Sequence, residues 1–301
     1  MFCSTIIPTI NRPTLSRAVC NVLDQQFNRA GFEVIVVNDS GQPLPDMDWQ
    51  HSEQVQVLNT NHRERSVARN TGAAIAQGKY LHFLDDDDAL LPGALAAFWS
   101  LHEAVGVDWL YGSYQTVDND GRLIEEIHPG LTGNIFALLV AGEGIPLQAS
   151  LINTRKFHAV GCFDPNLSAC EDRDLGRRVA LTSSVAHTEA VVASIRIGRQ
   201  GSTTNWESLA DEDRKGREKA LGRKEANSRL SASAMSSYVR GRVCRAYFAS
   251  AVWNMKRQNV LVGTSRALAG VRLVSWFPLS SGFWRGLRTR INQAAERINV
   301  S

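Results

Sequence analysis

Short apolar runs alternate with amphipathic stretches over the first two-thirds of the chain. Residues 2–7 read as a buried first strand, which Pro8 is expected to stop. Leu15, Val19, Val22 and Leu23 then fall on one side of a helix, with Asn11 placed to cap it and Pro13 tolerated in its first turn. Residues 33–37 form a second strand that runs into the turn signal Asn38-Asp39-Ser40-Gly41. Residues 42–53 read as loop and 55–58 as a third strand. Residues 64–76 are predicted helical, with Val67, Ala68, Thr71, Ala74 and Ile75 on the inner side. After Gly78 a fourth strand, 79–84, leads into Asp85-Asp86-Asp87-Asp88, and a helix follows over 92–105.

The second half is less regular. Residues 108–114 precede a hairpin signal at 118–121, with 122–127 as the returning strand. A short helix at 135–140, a strand at 148–152, a turn at 161–164, a helix from 171 to about 181 and a last strand at 191–197 complete it. On the 171–181 helix Asp172, Leu175, Gly176 and Val179 share one face, which directs Asp172 inward, while Arg173 and Arg177 fall elsewhere. From about residue 204 the chain is helical, charged and punctuated by aromatics, over 207–230, 234–258 and 261–274, with a break at Pro278.

Strands alternating with helices predict an α/β fold, a mostly parallel central sheet flanked by helices. Ligands in such sheets bind beyond the carboxyl ends of the strands. Three polar clusters fall at such ends: Pro8-Thr9, Asn38-Asp39 and the four-aspartate run. Adjacent carboxylates repel, and a hard divalent cation relieves the repulsion. On an extended backbone Asp85 and Asp87 would point one way and Asp86 and Asp88 the other, which favours an Asp-x-Asp pair holding Mg2+ or Mn2+ together with a phosphate-bearing ligand. A solvated acidic turn is the plainer alternative.

Composition is ordinary for a globular protein, but the charge is divided. Residues 1–200 carry 15 Lys and Arg against 23 Asp and Glu, and residues 201–301 carry 18 against 7. An acidic front and a basic tail suggest a separate partner for the tail. The five cysteines include no C-x-x-C pair, so neither a disulfide framework nor a zinc site is expected. No signal peptide and no uncharged run of membrane-spanning length is seen, so a cytoplasmic protein is expected.

The stretches 5–13, 33–40, 66–72, 78–92, 161–164 and 171–175, in this order, resemble family 2 glycosyltransferases with the GT-A nucleotide-diphospho-sugar transferase fold. The resemblance covers roughly residues 2–203 and implies a catalytic domain over 1–203, with a nucleotide-sugar half at about 1–105 and an acceptor half at 106–203. Residues 204–301 become a basic helical extension. Carried over residue by residue, it implies that Pro8, Thr9 and Asn11 line the nucleotide pocket and that Asp39 hydrogen-bonds the base, usually uracil. Arg69 would sit near the donor, with Asp85 and Asp86 at the nucleotide-sugar site. Asp87, with Asp85, would hold Mn2+ or Mg2+, and Asp172 would be the catalytic base of an inverting displacement. The implied partners are a UDP-sugar or related donor and a saccharide or lipid-linked saccharide acceptor. Three departures stand out: Asn38 stands where the family often has a first Asp, Gly198 lies where many members carry a histidine, and Gly176 where an aromatic is frequent.

A nucleotidyltransferase is disfavoured, because no Gly-rich phosphate loop follows the first strand. A non-catalytic scaffold is the other alternative. For the tail, packing on the catalytic domain competes with docking on an anionic membrane through Lys, Arg, Trp and Phe, so a peripheral location at the cytoplasmic face stays open. No nucleic-acid-binding motif is seen.

Overall fold

A computed structural model describes residues 1–61, 64–197, 206–232, 235–274 and 280–288. Its strands are β1 (Cys3–Thr9), β2 (Phe32–Asn38), β3 (Val55–Asn59), β4 (Tyr80–Phe83), β5 (Ala89–Leu90), β6 (Trp109–Val117), β7 (Leu123–Ile127), β8 (Ser150–Asn153) and β9 (Val185–Arg196). They form one sheet in the order β3-β2-β1-β4-β8-β6-β9-β5, with β7 paired to β6. The sheet is mixed rather than mostly parallel. The first four strands are mutually parallel, and β8 then runs antiparallel to both β4 and β6.

β1 continues through Pro8 instead of stopping there. Ile6 accepts from Leu84, so the even-numbered backbone groups at this end face the β4 side. Pairing with β4 has ended by Ile6–Phe83, and the N–H that Pro8 lacks would have had no ladder partner. The first helix, α1 (Leu15–Leu23), begins after Thr14, not at Asn11. Asn11 sits upstream in the left-handed region, φ 66°, with its N–H on the Thr9 hydroxyl at 2.9 Å.

Helices cover both faces. α1 and α3 (Ala94–Val105) enclose one core with Val19, Val22, Val34, Val36, Leu95 and Phe98. On the other face lie α2 (Arg65–Ile75), α4 (Phe136–Ala141), α5 (Thr154–Ala159) and α6 (Glu171–Ala180), over Ile6, Ile35, Val37, Phe83 and Phe136. α2 turns a different side inward from the one predicted. Ser66, Ala68, Arg69, Gly72 and Ala73 are buried, while Ala74 and Ile75 are exposed. Gly72 explains the rotation: a Cβ there would stand 2.7 Å from Ile6 Cγ2, so only glycine lets α2 lie this close to β1.

The described part of residues 204–301 packs on this frame. Its helices are α7 (Trp206–Leu221), α8 (Ala226–Ser231), α9 (Ser237–Lys256), α10 (Val260–Val274) and α11 (Ser281–Arg288). Leu221, Leu230, Val243 and Tyr247 share a core with Leu175 and Phe136. α7 lies along α6 and covers the side expected to be outside. Arg177 is therefore fully buried, paired with Asp213 at 2.6 Å, and Asp213 also holds Arg217. Arg242 of α9 pairs with Glu143 at 2.9 Å. Among the described residues no helix is long and apolar enough to cross a membrane. Gly198, Trp276 and Phe277 lie outside the described residues.

Candidate active site

The polar ends of β1, β2 and β4 converge as the topology predicts, and Thr9 joins them. Its carbonyl accepts from the Asp39 N–H at 2.8 Å, and its hydroxyl donates to Asp86 Oδ2 at 2.5 Å. Thr9 also stands opposite Asn38 in the β1–β2 register, with Pro8 beside it opposite Val37. Asn38 is turned inward on Asn59 and the Gln42 carbonyl, and so shapes the turn. Asp39 accepts from the Thr60 hydroxyl at 2.6 Å and the Glu64 N–H at 2.5 Å, tying the entry of α2 to β2.

The four aspartates do not form the extended segment expected. The Asp88 N–H bonds to the Asp85 carbonyl at 3.1 Å, closing a turn, because the chain must swing from β4 into β5. Burial still alternates: Asp86 and Asp88 are buried, Asp85 and Asp87 half-buried. Burial pushes Asp88 up to about 8, with the Asp85 and Asp87 charges adding to it and the Arg196 N–H at 2.7 Å opposing. Burial also raises Asp86, against the Thr9 hydroxyl and Arg12 at 2.8 Å. Asp85 goes the other way. Burial would raise it, but the Arg69 guanidinium at 2.6 Å outweighs that and holds the carboxyl below its usual range.

Arg69 reaches the acidic turn from beneath. It is 4% exposed, and both terminal nitrogens are engaged, one on Asp85 and one on Glu171 at 2.8 Å, with the guanidinium 5.3 Å from the Phe163 ring centre. It is a brace between the acidic turn and the start of α6. Arg12 faces outward here, about half exposed and bridging Asp86 and Asp87, and exposed Arg17 donates to the Asp87 carbonyl at 2.8 Å.

Sequence reasoning missed Arg12, Glu171 and Gln148 as parts of this site. Arg12 adjoined a predicted site residue, but its pairing depends on β1 lying next to β4. Glu171 stood beside Asp172 in the sequence. Gln148 donates to Asp85 Oδ2 at 3.0 Å, and its carbonyl accepts from His82 Nε2 at 2.9 Å. That bond places the proton on Nε2, so Nδ1 takes the Thr5 hydroxyl at 3.2 Å. Burial pushes His82 down to about 4, so it stays a neutral core residue.

Asp172 is half-buried in the first turn of α6, where the helix dipole favours a carboxylate. With Trp109, Leu139, Glu143, Ile145 and Gly176 it lines a cavity of about 190 Å3. A Cβ at Gly176 would stand 3.1 Å from Trp109 Cη2, so the indole of β6 takes up the room that a side chain at 176 would need. Trp109 Nε1 is buried there with no hydrogen-bond partner.

Among the described residues no three His, Cys, Asp or Glu side chains converge on one cation position. Both Asp85 oxygens are engaged, while Asp87 gives one oxygen to Arg12 and is 36% exposed. This donor set does not make an all-protein cage. It fits the mode in which one or two carboxylates hold a hard cation and phosphates and water complete the shell.

The glycosyl transferase family 2 profile matches residues 4–158. An uncharacterized glycosyltransferase of Rickettsia bellii is 26% identical over 205 residues, 66% of this chain and 29% of that protein. The GalNAc(5)-diNAcBac-PP-undecaprenol beta-1,3-glucosyltransferase of Campylobacter jejuni is 32% identical over 130 residues, 41% of each chain. The chain thus spans about a third of the length of the first of these relatives. The structure of S. aureus TarS 1–349 in complex with UDP-GlcNAc superposes with a TM-score of 0.56 at 16% identity, covering 98% of this chain and 78% of that one, a likeness of fold. With the profile spanning just over half of its residues, this chain belongs to glycosyltransferase family 2 and has the GT-A fold.

Proposed function

We propose that the chain moves a sugar from a UDP-sugar to a hydroxyl of a saccharide or lipid-linked saccharide acceptor, with inversion, in cell-surface polysaccharide or glycoconjugate synthesis. The observation that carries this reading is the Thr9 junction, which gathers Asp39 and the acidic turn at the carboxyl ends of β1, β2 and β4. A UDP-sugar bound to TarS and a lipid diphosphate in the name of the Campylobacter relative support the donor and acceptor classes.

In this reading Pro8, Thr9, Asn11 and Asp39 bound the nucleoside pocket, with Asp39 hydrogen-bonding the base. Arg12 faces the diphosphate, a better candidate than buried Arg69. Asp87, with Asp85, would hold Mn2+ or Mg2+, which when bound would offset charge developing on the leaving diphosphate. The acceptor oxygen attacks the anomeric carbon as the bond to the β-phosphate oxygen breaks, and Asp172 takes the acceptor proton. The open side of α6 and the cavity beside Trp109 supply room for the acceptor.

The test is calorimetric binding of UDP, GDP and dTDP with and without Mn2+, repeated on Asp87→Ala and Asp39→Ala. Metal-dependent UDP binding lost in both variants supports the assignment, and no nucleotide binding under any condition refutes it. With an acceptor present, release of UDP marks a glycosyltransferase and pyrophosphate a nucleotidyltransferase. Binding without turnover across a broad acceptor set marks a scaffold.

A further inference from the structure

From Ala226 to Ala295 the sequence contains eleven Lys and Arg and not one Asp or Glu. The structure adds where this basic stretch exposes apolar side chains. Seven of the fifteen large hydrophobic residues exposed among the described ones lie between Val252 and Val271. They gather on one hairpin. Val252 and Met255 end α9, and Val260, Leu261 and Val262 open α10, with Leu261 88% exposed. Lys256 and Arg257 lie at the turn between them, both exposed, with Arg257 stacked 3.7 Å from the Trp253 ring centre. Leu268 and Val271 extend the apolar surface along α10.

The inner side of α10 accounts for why these residues are left outside. Gly263 and Gly270 face α9, where a Cβ would stand 2.7 Å from Met255 and 3.0 Å from Phe248. The close approach thus uses glycines and leaves the larger residues to the outside. Two acids lie nearby, both engaged: Asp211, 38% exposed, takes the Trp253 indole N–H at 3.2 Å, and Glu218 pairs with Arg266 at 3.4 Å. Beside the hairpin a cavity of about 560 Å3 is lined by Arg214, Arg245 and Lys256 together with Phe248, Val252 and Trp253.

We propose that the α9–α10 hairpin docks the protein on an anionic lipid bilayer, with Val260, Leu261 and Val262 entering the interface and Lys256 and Arg257 on the headgroups. Exposed apolar side chains beside exposed Lys256 and Arg257, with no acid in the same stretch of sequence, match a surface that is apolar below and negative above. A basic apolar patch is a poor match for a second copy of itself, because the like charges would face each other.

The test is co-sedimentation of the full chain with vesicles of phosphatidylcholine alone and with about 30 mol% phosphatidylglycerol, a density that gives the negative surface the cations require. Binding is expected only to the anionic vesicles and is weaker at high salt. Leu261→Asp, at a site too exposed to affect folding, is expected to bind at least about tenfold more weakly. The pair Lys256→Glu and Arg257→Glu is expected to lose about thirtyfold or more. UDP affinity of both variants should equal that of the parent, which separates this surface from the donor site. The proposal is overturned if the parent ignores anionic vesicles, or if it binds neutral ones equally well. It is also overturned if Leu261→Asp binds as the parent does, or if sedimentation velocity shows a dimer that this substitution dissociates.

Discussion

Asp213→Asn probes whether α7 is part of the catalytic fold. Asp213 is 6% exposed and lies between Arg177, 1% exposed and 2.6 Å away, and Arg217, 3% exposed. The substitution keeps the shape and leaves two guanidinium groups buried with no counter-charge. Removing one partner of a buried pair costs about 3–5 kcal/mol. Arg177 keeps the Leu139 and Asp213 carbonyls at 3.1 and 3.2 Å, which offsets part of the loss, so about 3 kcal/mol is expected near pH 7. The pH dependence has a definite sign. Burial alone would raise the Asp213 carboxyl, but Arg177 and Arg217 hold it far below the usual range. Its contribution is therefore complete above the unfolded value of about 3.9 and is lost as pH falls through the lower folded value. Urea unfolding followed by tryptophan fluorescence should show the variant destabilised at pH 7 and the gap closing below about pH 4. A loss under about 1 kcal/mol at pH 7, or a gap that does not close in acid, would refute the account of α7 as a buried electrostatic partner of α6.

Arg69→Met should destabilise by about 3 kcal/mol in the same assay, since it strands Glu171 beside only the Arg65 contact at 3.2 Å. Adding Glu171→Gln should recover part of that loss, and strict additivity of the two would count against the brace. Gly72→Ala should cost about 1–3 kcal/mol by forcing α2 away from Ile6 and Val37, and an unchanged urea midpoint would show that the helix yields freely. Asp172→Asn should lower kcat by about 10²–10⁴ while leaving the donor KM nearly unchanged, whereas a KM effect alone would remove it as the base.

The fold was legible where local pattern and tertiary demand agree. The runs around Ile6–Ile7, Val34–Val37 and Leu81–Phe83 are buried on both faces, and each is punctuated by a turn at its carboxyl end. That suffices to place Thr9, Asp39 and the acidic turn at one edge. Pairings that depend on strand order are different in kind. Nothing local to Arg12 reveals that Asp86 lies across from it, and nothing local to Gln148 reveals that its amide meets Asp85. The inner side of α2 is likewise set by a tertiary contact. Apolarity favoured Ala74 and Ile75, but the close approach at Gly72 fixes the rotation and takes Arg69 inward, where Asp85 and Glu171 satisfy it. β9 began earlier than expected because His187 looks polar in sequence yet packs 4.7 Å from the Tyr111 ring and bonds to Ser113.

The first turn of α6 carries the consequence of these pairings. Glu171 and Asp172 are neighbours in sequence but face different tasks, the first held by Arg69 to the acidic turn and the second lining the cavity beside Trp109. A helix turn is stiff, so the position of Asp172 relative to Asp85 is set by one buried arginine on one side and by the Arg177–Asp213–Arg217 cluster on the other. Two sequence halves read as a donor side and an acceptor side are therefore fastened through a residue of each and through α7. Weakening either fastening should move the proposed base relative to the donor, lowering kcat more than it alters nucleotide affinity.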